Sequence, residues 1–333
     1  MTALLPPKPY KSYPELVELL RSRGMQIDDA QRAERKLAQV GYYRLSGFWY
    51  VCRKLHTEPG EAVLSPDAAQ APRRSDAFLP GTEFNQVMAL YLLDKQLRQL
   101  MLDAIERIEV HVRSVIAHEV GYHNPLAYQK SDVINPAQAR NYTDRSGRQR
   151  NAWVEWSARQ NEQVNRSRED CIMWHRQSHK AMPIWVAVEA WDFGTVSKYY
   201  EMLKRRYQNR IAQRLGVDNP AVLRAWLQEL NILRNRCAHH CRIWNQSTSN
   251  PLPVLHHPYF QQLGMTADAG SRLYGLITVI WFLVRTIGPN SQWLHKLDDL
   301  LAAKPVLPGC TYTAMGFPDR AGLPKALFNS IAA

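Results

Sequence analysis

Between Thr82 and Val120 the apolar residues Val87, Leu90, Tyr91, Leu93, Leu97, Leu100, Met101, Ala104, Ile105, Ile108, Val112 and Val115 recur at three- and four-residue steps. That spacing draws a single apolar stripe along an α-helix, with Gly121 and Pro125 as stop signals. A helix of about 38 residues is roughly 57 Å long at 1.5 Å per residue, so it is either kinked or central to a bundle. No segment shows a β-alternation that would build a sheet against it, and no internal repeat is present. The expected class is all-α, a helical bundle with a small N-terminal helical segment and inserted loops.

The flanking sequence reads as helix after helix. Ser12 or Asp28 can cap short N-terminal helices and Gly41 can stop the second. The aromatic run GYYRLSGFWYVCRK over 41–54 fits a strand or a turn with a packed helix. Pro59, Pro66, Pro72 and Pro80 lie among small and charged residues, which predicts an exposed insertion or linker over 57–81 between an N-terminal segment, 1–56, and the main helical domain, 82–303. Within that domain 124–151 reads as a loop, and about 124–182 as a basic insertion. Pro183 fits a first helical turn, Asn219-Pro220 starts another helix, and Ser271 and Ser291 open the last two. Trp185, Trp191, Trp226 and Trp281 fall in apolar helical frames and read as core. The proline-rich segment 304–333 reads as a surface tail.

Composition narrows the partners. The 333 residues carry 42 Lys+Arg against 30 Asp+Glu, a net charge of +12, which attracts polyanions such as nucleic acid. A hydrophobic content of 45% excludes a wholly disordered chain. Five cysteines, an odd number, with no charged-then-apolar leader at the start, point to reduced thiols in a soluble, cytoplasmic protein. The longest apolar run, Leu273 to Val284, is too short to span a bilayer, so no membrane partner is expected.

The chemistry concentrates in LRNRCAHHCRIWN, residues 233–245. Guanidinium supplies a planar fork of donors for phosphate, and imidazole can move a proton near neutral pH. Together they suffice for metal-free phosphodiester transfer in RNA, whose 2′-hydroxyl is an internal nucleophile. On an ideal helix Arg234 and His239 stand about 140° apart, whereas Asn235 and His239 share a face. Arg234 and His239 therefore converge only if the helix deforms or a second copy faces the first, and a two-fold pairing is the favoured reading.

The run Arg234-Asn235-x-x-x-His239 resembles the Arg-x4-6-His signature of the HEPN superfamily. With GYYRLSGFWY at 41–50, FLPGTEFNQVMALYLLDKQLRQLMLDAIERIEVHVRS at 78–114 and PIWVAVEAWDFGTVSKYYEML at 183–203, it resembles the Abi-like family of AbiD/AbiF type. That resemblance implies a helical, commonly dimeric, metal-independent ribonuclease of bacterial abortive infection or toxin type. Arg234 and His239 would be catalytic, and Asn235 would orient Arg234. His240 and Asn245 match family positions without an assigned role. RNA is the implied partner, as substrate and as a small structured companion.

Supporting groups can be proposed nearby. Glu109 and Arg113 form an i,i+4 pair that could reach and orient the motif. Lys204, Arg205, Arg206 and Arg210, with Arg148, Arg150 and Arg242, could hold an RNA backbone, while Tyr142, Trp153, Trp156 and Tyr207 could stack on bases. Cys237-x3-Cys241 around His239-His240 has zinc-like ligands but no second spaced pair, so neither a metal nor another cofactor is assigned. The alternative to an enzyme is a non-catalytic module whose Arg–His cluster only binds RNA.

Overall fold

A computed structural model describes residues 7–55 and 74–324, with Ala326 and Phe328. The described residues form an all-α fold, with fourteen α-helices and two short antiparallel ladders. They group into two compact units, one reaching Leu97 and including Asp298–Ala314, the other comprising Arg98–Leu297 with the residues from Met315 onward.

In the first unit, α1 (Tyr13–Ser22) opens with a capping box. Ser12 Oγ accepts from the Glu15 N–H, and the Glu15 carboxylate accepts from the Ser12 N–H at 2.6 Å. Helix α2 (Ala30–Val40) is capped by Asp29, one residue beyond the expected Asp28, through the Arg32 N–H at 2.8 Å. Gly41, at φ +90°, ends α2 and lets α3 (Tyr42–Trp49) begin at once. The ambiguous aromatic run is thus a helix that buries Leu45, Phe48 and Trp49, followed by one 3-10 turn and the strand β1 (Arg53–Leu55).

Strand β2 (Arg74–Phe78) pairs with β1, setting Arg53 opposite Phe78 and Leu55 opposite Arg74. The two short ladders leave the expected all-α class intact, but Arg74–Phe78 is a paired strand rather than part of an exposed linker over 57–81. Residues 56–73 lie outside the described residues, but Phe78 is buried and meets Trp49 edge-on at 6.4 Å. Pairing with β1 and this contact with the Trp49 ring of α3 outweigh the proline-rich composition before the strand. Helix α4 (Phe84–Gly121) follows. Its first turns belong to this unit, where Tyr91 meets Phe48 edge-on at 5.4 Å, so the division falls inside α4 rather than before it. The C-terminal part of the unit buries Leu307 and Cys310, and the Cys52 thiol donates to the Pro308 carbonyl at 3.1 Å.

In the second unit α4 ends where the side chains of Ile184 and Trp185 leave no room for a Cβ. A Cβ on Gly121 would stand 2.8 Å from Ile184 Cγ2. Single 3-10 turns and a hairpin, β3 (Tyr142–Thr143) with β4 (Gln149–Arg150), fill the expected loop. Then come α5 (Ala152–Arg166), α6 (Asp170–Gln177), α7 (Ile184–Ala187), α8 (Phe193–Met202), α9 (Arg205–Arg214), α10 (Pro220–Ala238), α11 (Pro258–Gln262), α12 (Ala267–Gly270), α13 (Leu273–Ile287) and α14 (Trp293–Ala302). Helix α13 is buried on every side from Leu273 to Val284, as an apolar sequence without a polar face requires. Helix α8 packs between α5 and α10, and Trp156, Trp191 and Tyr199 form one aromatic knot, with Trp156 stacked on Tyr199 at 4.5 Å.

Two further expectations are corrected. Trp191, Trp226 and Trp281 are buried, but Trp185 is 52% exposed, because α7 is a single turn whose inner face is taken by Ile184 and Ala187. The segment 304–333 is not simply a surface tail. Met315, Phe317 and Phe328 are buried in the second unit, and Trp281 Nε1 donates to the Phe328 carbonyl at 2.9 Å. Irregularly spaced apolar anchors hold a segment that prolines keep from becoming a helix.

Candidate active site

Helix α10 carries the motif. Asn219 caps it by accepting from the Ala221 N–H at 2.9 Å, and Pro220 occupies the first turn. Leu223, Leu227, Leu230, Leu233 and Cys237 are buried on its core side. Asn231, Arg234 and Asn235, three and four residues apart, make a second, polar stripe. The helix stops at Ala238 in a Schellman turn. The Cys241 N–H donates to the Arg236 carbonyl at 2.8 Å, and the His240 N–H to Cys237 at 3.1 Å.

The left-handed position of this turn, normally glycine, is His240 at φ +59°. A side chain there carries about 1–3 kcal/mol of backbone strain. His239 is the C-cap, at φ −88° and ψ 13°, so the motif leaves ideal helix geometry at its catalytic candidate. His239 and His240 are exposed, and the His239 ring has no hydrogen-bond partner among the described residues.

The loop after the turn is strapped from beneath. The buried Glu229 carboxylate accepts from the Ser249 and Asn250 N–H groups at 3.2 and 3.1 Å, and Arg236 donates to the Ser247 carbonyl at 2.9 Å. Ile243 and Trp244 are buried behind it. Asn245 is half-buried, its Oδ1 without a hydrogen-bond partner among the described residues.

Beside the polar stripe of α10, three guanidinium groups meet two carboxylates. Glu109, only 8% exposed on α4, forms an ion pair with Arg113. Burial pushes its carboxyl above the ordinary range, against the pull of the Arg113 and Arg234 charges. Asp192 caps α8 and pairs with Arg159 at 2.7 Å. Burial pushes the Asp192 carboxyl up, but the Arg159 and Thr195 hydrogen bonds outweigh it and hold the group below its usual value. Gly194 keeps this corner open. A Cβ there would stand 3.3 Å from Asp192 Oδ1, 3.5 Å from Asn231 Nδ2 and 3.6 Å from Arg159 Nη2.

The fold thus brings Glu109, Arg113 and Arg234 into one electrostatic cluster and adds Asp192, Arg159 and Asn231. Arg113 is tied to Glu109 and Arg159 to Asp192. Among the described residues Arg234 alone of the three has no carboxylate bonded to it, and its Nη1 donates only to Asn235 Oδ1 at 3.3 Å. Asn235 and His239 are exposed, and Arg234 is half-buried.

Two of the expected RNA-binding cations line different clefts. Arg205 lines a cleft with Asp218 and His256, whereas Arg210 lines another with Glu119 and Arg214. Lys204 is half-buried at the start of α9, and Arg206 lies over the Tyr207 ring at 4.8 Å. Arg148 is exposed on the β3–β4 hairpin and Arg242 half-buried in the loop after α10. Arg150 bonds Glu155 through two nitrogens and so offers little uncompensated charge. With Arg159, Lys198 and Gly194 it lines a cavity of about 370 Å³. Two expected base-stacking rings are core instead. Trp156 and Tyr207 are 3% and 5% exposed, because each points to the inner face of an amphipathic helix. Tyr142 is 50% exposed. Cys237 is buried while Cys241 is exposed, and among the described residues no group of three or more His, Cys, Asp or Glu side chains could hold a metal. No helix among them is long and apolar enough to cross a membrane.

Residues 35–245 match the sequence profile of the family described as Abi-like protein. The chain belongs to the Abi-like family. The matched span runs from within α2 to Asn245 and so contains Glu109, Arg113, Asp192, Arg234 and His239. No curated protein and no solved structure matches this Abi-like chain. Sequence reasoning missed Asp192, Asn231 and Glu229, and took Arg159 only as one of the cations of the basic insertion. Asp192 had a signal, an Asp three residues before Thr195 at a helix start, and Asn231 sits one turn before Arg234 and Asn235. Arg159 and Glu229 had none, since their partners are distant in sequence.

Proposed function

We propose that this Abi-like protein is a HEPN-type endoribonuclease of an abortive-infection or toxin-type defence system, cutting RNA by attack of the 2′-hydroxyl. The observation that carries the reading is the distribution of charge at α10. Among the described residues, Arg234 is the one of three clustered guanidinium groups left without a bonded carboxylate, and the His239 imidazole, five residues further on, is exposed and has no hydrogen-bond partner. That pairing suits a phosphodiester. His239 takes the 2′-hydroxyl proton, the 2′-oxygen attacks phosphorus, and the 5′-oxygen leaves with a proton as the alcohol. Arg234 holds the charge that grows on the phosphoryl oxygens. The products are a 2′,3′-cyclic phosphate and a 5′-hydroxyl.

One imidazole cannot act as base and acid in the same step. The exposure of Asn235 and His239 leaves room for a homodimer in which a second copy brings its own Arg234 and His239 to the phosphate. Arg234→Ala and His239→Ala variants, assayed on RNA with EDTA present, are expected to lose about 100-fold or more in rate. Cleavage by either at the wild-type rate contradicts the proposal. An exposed imidazole and a guanidinium without a bonded carboxylate also suit a non-catalytic RNA-binding module. That reading is the correct one if the wild type cuts no RNA while its affinity falls steeply with salt.

A further inference from the structure

One cleft, lined by none of Arg234, Asn235 and His239, combines cations with an exposed indole. It has a volume of about 1020 Å³ and lies between the end of α5 and α6, lined by Arg166, Arg168, Asp170, Met173, Trp174 and Arg176 among others. Three guanidinium groups face one carboxylate there. Arg166 pairs with Glu162, but among the described residues neither Arg168 nor Arg176 has a carboxylate partner. Arg176 is fixed by donating to the Asn165 and Ser167 carbonyls at 2.6 and 2.5 Å, which position its charge without neutralising it.

Trp174 is 50% exposed, unlike Trp156 and Trp191 in the core of the same unit. The ammonium of Lys180 sits 4.5 Å from the Trp174 ring centre. A strained turn puts it there. Helix α6 ends in a Schellman turn, with the Lys180 N–H on the His175 carbonyl at 3.0 Å and the His179 N–H on Arg176 at 3.2 Å. His179 takes the left-handed position at φ +50°. Among the described residues the only non-glycines with positive φ are His179 and His240, one at each of these basic turns. Strain kept at a surface turn points to a use for the geometry it imposes.

We propose that this cleft, with the Lys180 ammonium at the Trp174 ring, anchors unpaired RNA, with a base against Trp174 and the flanking phosphates on Arg168, Arg176 and Lys180. An exposed indole beside uncompensated cations is the chemistry that recognises single-stranded nucleic acid, because every base has a face to stack and every linkage an anion. A paired helix keeps its bases stacked inside, so duplex RNA meets only the cations. The proposal shares with the proposed function the choice of RNA as ligand, but it does not require that the RNA be cut.

The test uses the full chain with His239→Ala, so that RNA is not consumed, and a fluorescein-labelled 20-mer oligouridylate followed by anisotropy at several KCl concentrations. Trp174→Ala is expected to weaken binding by roughly ten-fold or more, and Trp174→Phe to restore most of it. Arg168→Ala is expected to reduce the slope of log affinity against log salt by about 0.7, the loss of one phosphate contact to a single strand. The RNA 20-mer annealed to its complement is expected to bind more weakly than the single strand and to be indifferent to Trp174→Ala. Unchanged affinity and salt slope in Trp174→Ala and Arg168→Ala, or no binding of the oligouridylate by the parent, overturns the proposal. Trp174-dependent binding together with a wild type that cuts nothing upholds the anchor and removes only the nuclease reading.

Discussion

Removing Glu109 should expose how the cluster under Arg234 is balanced. The Glu109 and Arg113 side chains are 11% and 18% exposed, and Arg113 Nε has no hydrogen-bond partner among the described residues. Glu109→Ala therefore strands a mostly buried guanidinium beside the Arg234 charge. Breaking a buried pair from one side destabilises by about 3–5 kcal/mol. The residual exposure of Arg113 lowers the expectation to about 2–4 kcal/mol, since solvent screens part of the loss. Replacing both partners with apolar groups is often near neutral, so Glu109→Ala/Arg113→Met should return to within about 1 kcal/mol of the wild type. Urea unfolding followed by tryptophan emission reads this directly. With a slope of about 2–3 kcal/mol per molar, the single variant should lose roughly 1 M in midpoint. Cleavage should behave differently, remaining low in the double variant because Arg234 has lost the carboxylate that faces it. A single variant as stable as the wild type, or a double variant no better than the single, refutes the reasoning.

Two other perturbations follow from the same geometry. Burial raises the Glu109 carboxyl above its ordinary value, so the folded chain holds that proton more tightly than the unfolded one. This contribution to stability is full below the ordinary carboxylate range and lost as pH rises through the folded value. Urea midpoints measured against pH should fall more, or rise less, in the wild type than in Glu109→Gln over that window, and parallel curves would contradict it. At the end of α10, His240→Gly should be about 1 kcal/mol more stable than His240→Ala, since both lose the imidazole but only glycine relieves the left-handed backbone. Equal urea midpoints would show that the turn is unstrained.

The long helix and the motif were legible because their information is local. The stripe from Val87 to Val115 repeats within a few residues, and Asn219-Pro220 marks the start of α10 by its own chemistry. What stayed hidden depends on partners far along the chain. Phe78 becomes a strand residue because Arg53 lies opposite it, and Leu307 and Phe328 are buried by neighbours the prolines around them do not announce. The Schellman turn after Ala238 lacked its usual glycine, so its sequence signal was absent. In the basic stretch, aromatic content alone could not separate the buried Trp156 from the exposed Trp174, since both sit on helices with one inward face. Arg159, one of many arginines, acquires its meaning only when α5 lies against the cap of α8.

The mechanism is tested most directly by a single-stranded RNA and the same RNA carrying a 2′-deoxyribose at its main cleavage position, each incubated with the wild type and with His239→Ala in EDTA. The expected result is cleavage of the all-ribose strand by the wild type only, with a cyclic phosphate end, and none at the deoxy position. A deoxy position cut as fast as the ribose one, or a His239→Ala chain as active as the wild type, would contradict an imidazole acting on a 2′-hydroxyl.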